Sequence, residues 1–441
     1  MQAIVLLMLF AACAAQFLGQ IHVLPRSAQY SQEVFSAIIA IYVVAEGVRH
    51  RFRHVRPAMW FAFIAVAIVI CCGIAMNSVA SGPLFAGIRS YLRAMPVFFL
   101  PAVWLISEKT LRKQLLFLLA VSLAQFPLAL LQRLQVLAAE RTSGDSVQGS
   151  LMNSGILTVF LVCAACVLTG MYMRKQVSGK LFMGLLLVLL LPTTLNETKA
   201  TIFLVPLGLM TTFILGSPRG VRMRYSAAAV GTLVLFGAIF VPVYDYFMKP
   251  RWGYGIVDFF MMDGRVEGYL DKDATFGSKH IGMVDTVVVP LREMSKDIPT
   301  LAFGVGIGNA SESSLGQQFE GHYLEKFGPF LGNTAATLLV ETGLLGIGLV
   351  FTLYFLIFRD AVYLSARDRG LYGALGVGWM GAMVVMTVAT FYRPLIASGV
   401  SYLFWYMSGV VAARRTALGL ATSTVQSKPL LMPHAQPRLR T

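Results

Sequence analysis

The sequence predicts an all-α polytopic membrane protein of about twelve transmembrane helices, with one large outer loop, residues 247–333, between helices nine and ten. Three observations carry this. Of the 441 residues 57% are hydrophobic and only 13% charged, about half the charge of an ordinary soluble domain. Apolar stretches of membrane-spanning length recur along the whole chain, each closed by a short polar break. The basic residues behind the net charge of +15 lie in those breaks, as the positive-inside rule requires, so the charge does not imply a nucleic-acid partner.

Taken in order, the expected spans are 2–19, 31–48, 57–76, 94–107, 115–136, 153–173, 181–195, 200–216, 225–246, 334–358, 371–391 and 398–413. The opening MQAIVLLMLFAACAAQFLG lacks the basic n-region of a leader and is read as the first span. LNETKA is short enough to turn spans seven and eight into a hairpin. Residues 1–415 make the membrane domain, and the Ser-, Thr- and Pro-containing tail 416–441 reads as disordered and cytoplasmic. All five cysteines (Cys13, Cys71, Cys72, Cys163, Cys166) fall inside apolar stretches. They offer no extramembrane disulfide, and CAAC at 163–166 reads as helix packing; no metal and no cofactor is expected.

With the N-terminus cytoplasmic, the inner loops RHRFRHVRP, SEKTLRKQ, RKQVSGK, SPRGVRMR and RDAVYLSARDRG and the tail hold 21 of the 36 Lys and Arg residues. The short outer loops hold seven. Long loops weigh little in this comparison, so both termini are placed inside.

Positive charge on the outer side works against topology and asks for a reason. Arg89 and Arg93 in GIRSYLRAMP, Arg133 and Arg141 in QRLQVLAAERTSG, Lys199 in NETKAT and Arg393 in FYRP all face that side. Arginine forks suit a phosphate or diphosphate, so these cations point to an anion-binding cavity at the outer leaflet. Carboxylates at membrane depth are few: Glu46 near the inner end of span two and Glu341 about two turns into span ten. That scarcity argues against an ion-coupled pump. GVGIGN at 304–309 has the glycines of a nucleotide loop but no βαβ context; its glycines are expected to let the backbone turn back toward the membrane.

The order of motifs resembles the O-antigen ligase and Wzy-type polysaccharide polymerase superfamily of bacterial inner-membrane proteins. The match is carried by GIRSYLRAMPVFFLPAVWL, ERTSGDSVQGSLMNSGILTVFLV, LNETKATIFLVPLG, and PTLAFGVGIGNAS followed by GNTAATLLVETGLLGIGLVF. It covers residues 85–360. Two positions depart from the family: Lys199 stands where an arginine is common, and Gly332 stands where ligases carry a histidine before Asn333. The second departure favours a polymerase over a ligase.

The resemblance implies a GT-C-like, metal-independent glycosyltransferase. It would act on undecaprenyl-diphosphate-linked glycan in the outer leaflet and extend it by one lipid-linked unit at a time. Arg89, Arg93, Arg141, Lys199 and Arg393 would bind the diphosphate. The base that takes the acceptor proton would be His322, Glu197 or Glu341. The bilayer, a chain-length regulator and a flippase of the same pathway are the implied partners. A lipid-linked oligosaccharide flippase is the alternative from another class, and it would carry cations through the bilayer rather than at one face.

Overall fold

The computed structural model describes residues 1–50, 52–138, 146–196, 198–217, 220, 222–262 and 282–426. Among them the chain forms helices and no strand. In order these are α1 (Gln2–Gln20, with a π turn at Ala11–Ala15), α2 (Ser31–His50), α3 (Pro57–Met76), α4 (Ser81–Leu92), α5 (Met95–Val103) and α6 (Glu108–Ala138). Then follow α7 (Ser154–Met173), α8 (Gly179–Leu190, extended by a turn at Pro192–Leu195), α9 (Thr201–Gly216) and α10 (Arg222–Trp252). The segment expected as an outer loop contains α11 (Ile256–Met261), α12 (Asp285–Met294) and α13 (Ile298–Phe303). The chain closes with α14 (Thr334–Arg367), α15 (Leu371–Ala389) and α16 (Val400–Gln426).

Eight of the described helices are long and apolar enough to cross a membrane: α1, the 26–49 segment containing α2, α3, α6, α7, α10, α14 and α15. This is a helical membrane protein. The other four expected spans, 94–107, 181–195, 200–216 and 398–413, fall on α5, α8, α9 and α16. α16 runs on to Gln426, past the position near 416 where the tail was expected to begin. Ala417, Leu418 and Leu420 are good helix formers and extend it.

α15 sits at the centre, packed by α7, α9 and α14. Lipid is as apolar as any side chain, so helices associate in a membrane by close fit. Glycines supply that fit here. A methyl on Gly378 would overlap Val167 of α7, and one on Gly381 would overlap Thr212 and the Gly208 carbonyl of α9. Cys166 packs at the same crossing, which is the use the CAAC stretch finds. α16 packs on α5 in the same manner, Gly409 against the Phe98 carbonyl.

The GVGIG stretch answers a defect in α14. Gly343 has φ 67° and ψ −174°, which breaks the helix in its third turn and frees carbonyls of the preceding turn. A buried backbone group left unpaired costs about 1–3 kcal/mol. The Val305 N–H donates to the Val340 carbonyl at 2.8 Å, and the Gly306 N–H to the Glu341 carbonyl at 3.1 Å. The two backbones touch where this happens. A side chain at Gly304 would collide with the Glu341–Thr342 peptide, and one at Gly343 with the Ala302 carbonyl; both residues also have φ near +70°. Residues 304–310 are buried as a result, and buried irregular backbone survives because protein supplies its hydrogen-bond partners.

Candidate functional site

The loop and the broken helix form the floor of a cavity of about 740 Å³. Its other walls are α4, the end of α1, the start of α2 with the residues before it, and residues 328–332 and 394–397. The lining is rich in groups that hydrogen-bond: Gln16, Gln29, Gln32, Ser311, Ser313 and Ser314. Arg89, Arg93 and Glu341, all expected from sequence, line it together.

Arg89 and Arg93 stand one turn apart on α4 and the chain that follows it, so both point the same way. They meet Glu33, in the first turn of α2, which sequence reasoning did not single out. Arg89 Nε donates to Glu33 Oε2 and Arg89 Nη2 to Oε1, each at 2.8 Å. Arg93 Nη1 donates to the same Oε1 at 2.9 Å. Arg89 Nη1 also reaches Ser314 Oγ at 3.1 Å, and its guanidinium lies 5.2 Å from the Tyr30 ring centre. Arg93 Nη2 donates to the Ala397 carbonyl, while its Nε is buried without a partner. One carboxylate therefore takes the two-donor fork of Arg89 and a single donor of Arg93.

Glu341 lies just before the break in α14 and is 1% exposed. Its Oε1 accepts from Ser311 Oγ at 2.7 Å. The Gly308 and Ala310 backbones and the Tyr91 hydroxyl sit beside the same carboxyl group. Its Oε2 and the Tyr91 Oη are both buried and face one another at the cavity wall. Both groups line the cavity, so a hydroxyl bound there has an acceptor and a second hydroxyl beside it.

The remaining expected residues lie elsewhere. His322 is exposed and does not line the cavity. Its backbone N–H is held by Asn309 Oδ1 at 3.2 Å and its ring meets Tyr323. Lys199 sits 3.8 Å from the Phe259 ring centre, and Arg393 lies over the Tyr392 ring with its side chain against Gly155 in the first turn of α7. Asn196 reaches that same turn, donating to the Ser154 carbonyl and to Thr158 Oγ1. Lys199 and Arg393 are thus outside the cavity lining, although the Arg393 carbonyl accepts from Thr334, which belongs to it. Arg133 is fully buried, donating to the Phe247 carbonyl and stacked on that ring. Arg141 and Glu197 lie outside the described residues.

Gly332 lines the cavity, and nothing stands within 4 Å of where a Cβ would be. Asn333 beside it caps α14, accepting from the Ala336 N–H and donating to Thr286. Among the described residues no three His, Cys, Asp or Glu side chains gather as a metal site. The sequence matches no protein-family model and no curated protein.

Proposed function

We propose that this chain is a polysaccharide polymerase of the bacterial inner membrane. It joins undecaprenyl-diphosphate-linked oligosaccharide units at the periplasmic face. In this reading α5, α8, α9 and α16 complete twelve crossings, the 247–333 segment is periplasmic and both termini are cytoplasmic. The observation that carries it is the meeting of an arginine pair and a buried carboxylate in one polar cavity of an otherwise apolar bundle. The motif order set out above adds the substrate class.

The chemistry follows from the geometry. The diphosphate of the donor takes the forks of Arg89 and Arg93, displacing Glu33. The acceptor hydroxyl binds beside Glu341 and Tyr91. Its oxygen attacks the donor's anomeric carbon, and the bond from that carbon to the diphosphate oxygen breaks. The bonding pair leaves with the diphosphate, and the acceptor proton passes to Glu341. Charge grows on the diphosphate as the bond lengthens, so the arginines hold the transition state more tightly than the ground state.

Purified protein in nanodiscs, given native lipid-linked repeat unit without metal or nucleotide, tests this. A ladder of longer lipid-linked glycans is expected, abolished in Glu341→Gln. Transfer of the glycan to an acceptor without a diphosphate would make it a ligase. Unchanged substrate that crosses proteoliposome membranes would make it a flippase. Either result overturns the polymerase reading.

A further inference from the structure

A second cavity, of about 170 Å³, lies at the other side of the bundle between α6, α7, α15 and α16. Its walls are almost wholly apolar, built by residues such as Leu119, Phe160, Ala164, Leu375, Trp379 and Leu403. It follows α15 from Leu371 to Met386, about 22 Å at the helical rise. That is most of a hydrocarbon core of about 30 Å, so its shape suits a long chain rather than a compact ligand. At the Leu371 end, the end away from the large cavity, stand Arg112 and Gln176. Arg112 Nη2 donates to Gln176 Oε1 at 3.3 Å, a neutral partner. Its neighbours at that end are matched with carboxylates: Arg56 and Arg415 with Asp360, Arg414 with Asp368. Lys109 and Lys113 flank Arg112 and are exposed.

We infer that this groove is a binding site for an anionic phospholipid, one acyl chain in the apolar shaft and the phosphate on Arg112. The tail moves from lipid into protein and gains only packing, so selection falls to the headgroup. Arg112 holds the phosphate, and the cations Arg112, Lys109 and Lys113 disfavour a headgroup that carries its own ammonium beside that phosphate, so net headgroup charge supplies the selection. The site is independent of the chemistry proposed for the large cavity.

The test is native mass spectrometry of the protein from nanodiscs of dioleoyl-phosphatidylglycerol and dioleoyl-phosphatidylcholine in equal amounts, lipids that differ only in headgroup. Bound phosphatidylglycerol is expected in roughly tenfold excess, the ratio that about 1.4 kcal/mol of repulsion between the cations and the choline ammonium provides. The excess is expected to vanish in Arg112→Gln and also in Ala164→Trp, which fills the shaft and keeps the arginine. Phosphatidylglycerol with brominated chains is expected to quench emission that Trp379→Phe removes, a readout that stands if the filled variant fails to fold. Equal binding of the two lipids by the unaltered protein, an excess that survives Arg112→Gln, or no quenching of Trp379 would overturn the assignment. So would glycerol 3-phosphate competing as well as the lipid, because the shaft would then contribute nothing.

Discussion

At the cavity end of the bundle Glu33 lies between Arg89 and Arg93; at the opposite end Asp360 lies between Arg56 and Arg415. The two groups share a composition, one carboxylate to two arginines, and differ in access. The Asp360 side chain is 1% exposed, closed in by α3, α14 and α16, whereas Glu33 is 20% exposed and lines a cavity of about 740 Å³. A sealed group can only hold helices together. An open one carries charge that an anion from outside can reclaim. Access, not residue type, separates the lock from the site.

The largest expected effect is at the lock. Asp360→Ala leaves two arginines facing each other, one of them 13% exposed, without a counter-charge. Removing one partner of a buried pair costs about 3–5 kcal/mol, so the variant is expected to unfold at markedly lower temperature or denaturant in a fixed detergent. A melting curve that superposes on the unaltered protein would erase the distinction between the two ends.

At the site the same kind of deletion is expected to spare folding and remove activity. Under the proposed function Arg89→Ala loses a donor to the leaving diphosphate, and a donor of that sort supplies about 10²–10³ in rate. The measurement is single-turnover transfer from the lipid-linked donor, beside a melting curve. Loss of stability to match Asp360→Ala, with the rate per folded molecule unchanged, would class Arg89 with the lock.

Glu33→Gln sharpens the comparison, because the sign of its effect is informative. Under the proposed function the carboxylate competes for the forks that hold the diphosphate, so neutralising it is expected to tighten inorganic pyrophosphate binding by about tenfold, the equivalent of about 1.4 kcal/mol. Calorimetry reads this directly. Weaker binding would mean that Glu33 aims the arginines and is not displaced.

Much of this was legible in the sequence, for definite reasons. The long apolar runs marked the helices because nothing else in a chain so poor in charge can bury its backbone. Arg89, Arg93 and Glu341 were legible as ionisable groups in costly places, and the structure brings them to one cavity. Glu33 was not, since an acidic residue in a first helical turn is ordinary and its partners lie 56 and 60 positions away. Nor was the separation of Lys199 and Arg393 from the arginine pair. Loop charges report the side of the membrane, not the position across its plane. The glycines of residues 304–308 announced a tight turn, but their partner, the break at Gly343, looks in ETGLLG like any helical glycine.

A third carboxylate between two cations gives the limiting case and the smallest effect. Glu293 on α12 meets Lys296 at 2.6 Å and Lys326 at 3.6 Å, and about a third of its side chain is open to solvent (32%). The hydrogen bond from Lys296, then the charges of both lysines, hold its carboxyl below the usual range. A depressed pKa means that the pair stabilises above the unfolded value and is lost as pH falls through the folded one. Water and salt screen an open pair, so Glu293→Gln is expected to leave the melting temperature at pH 7 unchanged within error. A carbon-detected titration should find the Glu293 midpoint below about 4.3, the ordinary glutamate value, and 1 M salt should return it there. A midpoint indifferent to salt would mean that this pair is shielded as Asp360 is, and exposure would no longer order the three.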